Sequence, residues 1–145
     1  MAENLRALGR IGEEAAARYL VNAGYAMVGR NVYIGKLEAD ILCVSPDGLY
    51  LCFVEVKTRR IDPSDASTRP ADAVDGRKRT HMLAFARAYM AAHPEVFAAR
   101  YPRLDVVEVY LSDGDAPSEP PSVRTVRHYP GAVRPARNYQ KHRNE

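Results

Sequence analysis

Leu5, Leu8, Ala15, Tyr19, Leu20 and Ala23 recur at the spacing of one helical face, and Gly24 follows them as a left-handed stop. This predicts a first helix over Asn4 to Ala23. Three extended segments come next, Tyr25 to Ile34, Leu37 to Val44 and Leu49 to Thr58, rich in Val, Ile, Tyr and Phe. Ser45-Pro46-Asp47-Gly48 separates the last two and has the residues of a tight turn. The three segments therefore read as a meander. From Arg59 to Pro70 the chain is polar and aperiodic, which predicts a loop. A second helix follows over Ala71 to Ala92, with Val74, Met82, Phe85, Ala86, Tyr89 and Met90 as its apolar stripe and His93-Pro94 as its end. A short helical turn is expected within Pro94 to Ala99, a fourth strand over Leu104 to Leu111, a Pro-rich loop over Asp113 to Ser122 and a fifth strand over Val123 to Tyr129.

Helix, three strands, helix, strand, strand is an α/β order. It implies one mixed sheet flanked by helices, with the second helix crossing over between a parallel pair. Residues 1–129 are read as a single domain and residues 130–145 as a basic tail.

Side-chain alternation places Glu38 and Asp40 on one face of the second strand, and Glu55 and Lys57 on one face of the third. The third strand surrounds its charges with Phe53, Val54 and Val56, so it reads as central and largely buried. The turn sets the register. A two-residue Asp47-Gly48 loop puts Asp40 opposite Glu55, Glu38 opposite Lys57 and Cys43 opposite Cys52. A four-residue Ser45 to Gly48 loop puts Glu55 opposite Glu38 with Asp40 one diagonal away, and a three-residue loop breaks the arrangement.

Two half-buried carboxylates at such close range repel, which calls for a proton or a cation between them. Mg²⁺ or Mn²⁺ suits oxygen donors of this kind and is commonly held by one or two carboxylates plus substrate phosphate. Asp40 and Glu55 are the candidate metal ligands, and Lys57 is placed to activate water or hold a phosphate oxygen, as in a phosphodiesterase. The same spacing also fits a plain charge-paired face, with Glu38 bonded to Lys57 and Asp40 to an arginine.

Several motifs accompany these residues: Gly12-Glu13-x-x-Ala16, Gly24-Tyr25, Arg30-Asn31, Glu38-x-Asp40-Ile41, Phe53-Val54-Glu55-Val56-Lys57-x-Arg59, Ala73-Val74-Asp75-x-x-Lys78 and Arg103-x-Asp105-Val106-Val107. Together they resemble the YraN family, similar to archaeal Holliday junction resolvases, within the restriction-endonuclease-like superfamily marked by Asp, a gap and Glu-x-Lys. Leu37 stands where the family usually has Gly. The resemblance implies a restriction-endonuclease-like fold and metal-dependent hydrolysis of phosphodiester bonds in DNA, with branched or junction DNA as one substrate class. It also implies a fourth catalytic residue, Glu13, which would otherwise be an ordinary solvated helix start. Asp105, beside Arg103, reads as a structural partner. The rival reading is a non-catalytic nucleic-acid-binding module of the same fold.

Net charge is +3, and residues 124–145 hold six Lys or Arg against one acidic residue, so the positive charge gathers at the C-terminal end. Nucleic acid, DNA above all, is the expected partner. Arg59 and Lys78 are its candidate contacts, with the loop after Arg59 and the tail assisting. Lys78 lies between Arg77 and Arg79, a run that also fits a wet helix face. Cutting both strands of a duplex favours a two-fold homodimer. No apolar run reaches the roughly 20 residues of a membrane span and the N-terminus lacks a signal-peptide layout, so a cytoplasmic protein is expected. Cys43 and Cys52 show no metal spacing and are read as reduced packing residues on the face away from the carboxylates.

Overall fold

The computed structural model describes residues 2–60, 76–112 and 121–134, with side chains from residue 6 onward. Its elements are α1 (Ala2–Asn22), β1 (Ala26–Ile34), β2 (Leu37–Val44), β3 (Tyr50–Arg59), α2 (Gly76–Ala92), a 3₁₀ turn at Val96–Ala98, β4 (Tyr101–Ser112) and β5 (Ser122–Val133). The strands form one sheet in the order β1-β2-β3-β4-β5, with β3 and β4 parallel and the other pairs antiparallel. This is the α/β mixed sheet and element order expected from the sequence.

Each helix covers one face. Ala16 and Leu20 of α1 pack on Ile41, Cys43, Cys52, Val54, Val107 and Val109. Met82, Phe85 and Ala86 of α2 pack on Leu42, Leu51, Phe53, Leu104 and Val106. Alternation along β2, β3 and β4 supplies both sets, so the central strands carry apolar side chains on both faces. The thiols lie in the α1 layer, directly opposite each other and buried, as the parity of their positions requires.

Gly24 ends α1 with φ +95°, while the Tyr25 amide donates to the Leu20 carbonyl and the Gly24 amide to Val21. That pairing is a Schellman motif, which ties up carbonyls the helix end would otherwise leave unpaired. At the other end of the contact surface α1 comes unusually near β3. A Cβ built on Gly12 would fall inside the Thr58 hydroxyl, so only glycine allows this approach.

Several boundaries differ from the sequence reading. Arg59 is the last residue of β3 rather than the start of a loop; residues 61–75, which hold the rest of that loop and the expected first turn of the second helix, lie outside the described residues. β5 begins at Ser122 and runs past Tyr129 to Val133, which is buried against the α2 layer. Pro130 does not stop the strand because it falls in the irregularity between the Val106–Tyr129 and Leu104–Val133 pairs of an edge strand, where the ladder asks no bond of it. The stretch expected to begin the tail is thus sheet as far as residue 133. The rest of the tail from 135, and residues 113–120 of the Pro-rich loop, lie outside the described residues.

Candidate active site

The β2–β3 register is Ile41 to Val54 and Cys43 to Cys52, the alignment that brings Asp40 level with Glu55. The loop that produces it is longer than two residues. The Ser45 amide bonds the Tyr50 carbonyl, the Gly48 amide bonds the Ser45 carbonyl, and the Asp47 carboxylate accepts from the Ser45 hydroxyl and the Leu49 amide. Residues 46–49 therefore form the connection, with a reverse turn over Ser45 to Gly48 inside it.

The ladder stops at Ile41 and Val54, and Asp40 explains why. In an antiparallel pair the bonded positions alternate, so the next exchange would join Ala39 and Val56. Instead the Val56 amide donates to Asp40 Oδ2 at 2.8 Å. On the other edge of β2 the pairing with β1 skips Asn31 and Asp40, and Asn31 has φ +49°. A non-glycine residue in that region is a strained choice of the kind that gathers at working sites. Alternation slips at the same point: Ala39 packs in the α2 layer although Ile41 and Cys43 pack under α1. Asp40 consequently leaves the regular pleat and interacts with acids from both layers.

Glu55 is 5% exposed, on the face covered by α2. Burial first, and then the charge of Asp40, with which it shares a hydrogen bond, push its carboxyl up to about 7. Lys78 on the first turn of α2 sets its ammonium 3.0 Å from Glu55 Oε1. Burial disfavours the Lys78 charge, but Glu55, Asp40 and Glu38 outweigh it and hold the amine above its ordinary value. Glu13 approaches from α1. Burial and the Asp40 charge raise its carboxyl, and a hydrogen bond with Asn31 offsets part of the rise. Four of the residues singled out from sequence, Glu13, Asp40, Glu55 and Lys78, are thus electrostatically joined.

Lys57 and Arg59 share the Glu55 face of β3. Lys57 is half-buried and lies beside Glu108 in the parallel ladder. Arg59 is held by Glu108, Nε to Oε2 at 3.1 Å, and Glu108 is 1% exposed. Of the charge-paired alternative for β2 the described contacts give a different picture: Glu38 lies opposite Tyr33, whose hydroxyl pKa its charge raises, and Asp40 accepts from a backbone amide. Asn31, Glu108 and the Lys78 to Glu55 pair were not read from the sequence. The Arg30-Asn31 motif carried the first; the other two depend on how the crossover stacks α2 and β4 on β3, which no local spacing reveals.

Asp105 is fully buried and structural, as expected. Its carboxylate accepts from Arg103 Nε and Nη2, both at 2.9 Å, from the Gly131 amide at 2.9 Å, and lies 2.8 Å from His128 Nε2.

Two openings flank this core. A groove of about 700 Å³ runs along α1 and β1, lined by Arg10, Arg18 and Arg30 together with Glu13, Glu14 and Asn31. Within it Glu14 holds Arg30 at 2.8 Å and Arg18 at 3.7 Å. On the α2 side, a crevice of about 10 Å³ touches Glu38 and Glu55 beneath Met82 and Phe85. A cleft of about 630 Å³ between α2 and the β4–β5 pair, lined in part by Arg87, Met90, Arg103 and Arg134, includes none of the four joined residues.

Asp40 and Glu55 offer the hard oxygen donors that Mg²⁺ or Mn²⁺ takes, and the Glu55 carboxyl is raised by burial first and by the Asp40 charge second. Among the described residues no group of three or more His, Cys, Asp or Glu is arranged to hold a metal. The two carboxylates fit an ion that draws its remaining ligands from water and substrate. No helix among the described residues is long and apolar enough to cross a membrane.

Comparison with known proteins gives the following. A UPF0102 protein of Dehalococcoides mccartyi is 39% identical over 113 residues, covering 77% of this chain and 87% of the relative. One from Moorella thermoacetica is 38% identical over 111 residues with the same coverage, and one from Chlorobaculum parvum is 34% identical over 122 residues, 84% of each chain. Among solved structures, Pyrococcus furiosus SfsA in complex with Ca²⁺ is similar with a TM-score of 0.39 and 17% identity, over 84% of this chain and 63% of that one. Residues 12–109 match the family described as "Uncharacterised protein family UPF0102", a span holding Glu13, Asp40, Glu55, Lys57, Arg59 and Lys78, and the chain belongs to that family, the YraN family.

Proposed function

We propose that this protein is a metal-dependent endonuclease acting on DNA, with branched or junction DNA as the substrate class to test first. One observation carries the reading: a buried Glu55, pushed up to about 7, sits beside Asp40 at the place where β2 leaves its ladder. A purely structural acid pair would gain by being replaced with apolar residues, whereas a cation site needs both charges.

Asp40 and Glu55 would hold the ion, with Asp40 Oδ2 aimed by the Val56 amide. An ion held by these two residues would supply an acidified water and offset charge gathering on the phosphate. Lys57, on the same face as Glu55, stabilises that charge from the protein side. Glu13, whose carboxyl is held above its ordinary value by burial and by the Asp40 charge, takes or gives a proton at the edge facing the arginine groove. Arg10, Arg18 and Arg30 give the phosphodiester backbone a cationic path toward Glu13 and Asp40. Arg59 is tethered to Glu108 and contributes to the field along β3. Cutting both strands of a junction takes two copies, so a two-fold homodimer is part of the proposal.

The test is cleavage of duplex, flap, junction and single-stranded DNA with and without Mg²⁺ or Mn²⁺, with the molecular mass followed by light scattering. Cleavage that needs the ion and is lost in Asp40→Asn, Glu55→Gln and Lys57→Ala supports the reading. DNA binding without cleavage of any substrate under any metal would assign the fold to a binding module instead.

A further inference from the structure

We propose that Lys78 is a displaceable counter-ion: its ammonium takes the cation position at Glu55 until a divalent ion arrives, and the ion then releases it toward the phosphate of bound nucleic acid. The inference rests on the reading of Asp40 and Glu55 as metal ligands and adds the order in which three charged partners use them.

The geometry leads there. Lys78 Nζ is 3.0 Å from Glu55 Oε1, an oxygen whose side chain is 6% exposed, while the lysine itself is 44% exposed. A divalent ion bound to the same carboxylate would lie within a few ångströms of the ammonium, and at that range the two positive charges repel. The ammonium already holds the Glu55 oxygen that the ion would take, so the two cations compete for one carboxylate. Lys78 must therefore swing away. Its four-carbon stem leaves the helix on the first turn of α2, and a lysine ammonium redirects more readily than a planar, doubly bonded arginine. Once released it stays next to a site whose substrate is anionic, and a compact ammonium suits a single phosphate oxygen. Lys57 does not play this part: among the described residues Glu55 is paired with Lys78, not with its strand neighbour.

The exchange predicts competition in the free protein and cooperation in the complex. Calorimetric titration of Mn²⁺ into the full chain without nucleic acid should give about tenfold tighter binding for Lys78→Gln than for wild type, and no tightening for Lys78→Arg. In parallel, the rate at which wild-type Lys78 is acetylated by a small reagent should rise several-fold when Mg²⁺ is added, a measurement that requires no variant to fold. Equal or weaker Mn²⁺ binding by a folded Lys78→Gln, or a Lys78 reactivity indifferent to Mg²⁺ in a protein that binds it, overturns this proposal and leaves the metal site standing. Absence of Mn²⁺ binding to wild type and Lys78→Gln alike overturns the metal reading itself.

Discussion

The Val56 amide donates to Asp40 Oδ2 at 2.8 Å, where a regular ladder would have sent it to the carbonyl of Ala39. The candidate ligand is thus also a structural acceptor, and its substitutions separate the two duties. Asp40→Asn keeps an oxygen for Val56 and should melt close to wild type while losing metal-dependent cleavage. Asp40→Ala leaves the amide unpaired and should cost a further 1–3 kcal/mol, roughly the cost of an orphaned buried donor. Denaturant melts of the two variants side by side measure the difference.

Glu55 gives stability a pH dependence of definite sign. The unfolded chain releases this proton near 4.5 and the native chain near 7, so between those values the native state binds more protons. Stability from this group therefore falls as pH rises from about 4.5 to 7 and is lowest above it. Glu55→Gln should remove the slope, leaving the variant more stable than wild type at pH 8 by about 3 kcal/mol without metal and about equal to it near pH 4.5. Urea titrations at the two pH values decide it; a variant less stable at pH 8 would mean that the Lys78 pair outweighs burial.

Asp105 works in the opposite direction. Burial disfavours its charge, but His128, Arg103 and the Gly131 amide more than offset that and hold the carboxyl below its ordinary value. Its contribution is complete above pH 3.8 and is lost as pH falls through the lower native value. Asp105→Asn should cost about 1–3 kcal/mol at neutral pH, because it takes the carboxylate charge from the part-buried Arg103 and His128, and should make acid unfolding less steep. Cleavage by whatever fraction remains folded should be unaffected, since the cluster lies away from the four joined residues.

Gly12 and Thr58 form a pair whose coupling can be measured. Gly12→Ala drives a methyl into the Thr58 hydroxyl and should cost about 1–3 kcal/mol by pushing α1, and Glu13 with it, off β3. Thr58→Ala opens the space, so the double variant should regain a large part of the loss. Additive losses would show that the helix does not seat there.

In the sequence, alternation and one turn carry the mixed sheet with its parallel pair and the shared face of Asp40 and Glu55, but they leave the register open between loops, and Pro46 suits one that does not form. The Asp40 to Glu55 alignment comes instead with a connection over residues 46–49, in which the Asp47 carboxylate accepts from the Ser45 hydroxyl and the Leu49 amide, which no two-residue turn would need. Where the reading stopped is equally physical. Lys78 meets Glu55, and Glu108 meets Arg59, only after the chain crosses over and lays β4 beside β3, so their partners are set by tertiary placement. The β5 boundary at Val133 was hidden by Pro130, which reads as a strand breaker until the strand is known to lie at an edge.

The division of the sheet into a local hairpin and a distant parallel pair also sets the sequence of events in folding. β2 and β3 are joined by a short turn and close quickly, whereas β3 and β4 must wait for a long excursion of the chain. Asp40 and Glu55 therefore come face to face before α2 delivers the ammonium that balances them. An early, uncompensated meeting of like charges would slow the hairpin step and protonating Glu55 would relieve it, so the chain should refold fastest in mildly acidic solution, where the paired carboxylates are least charged.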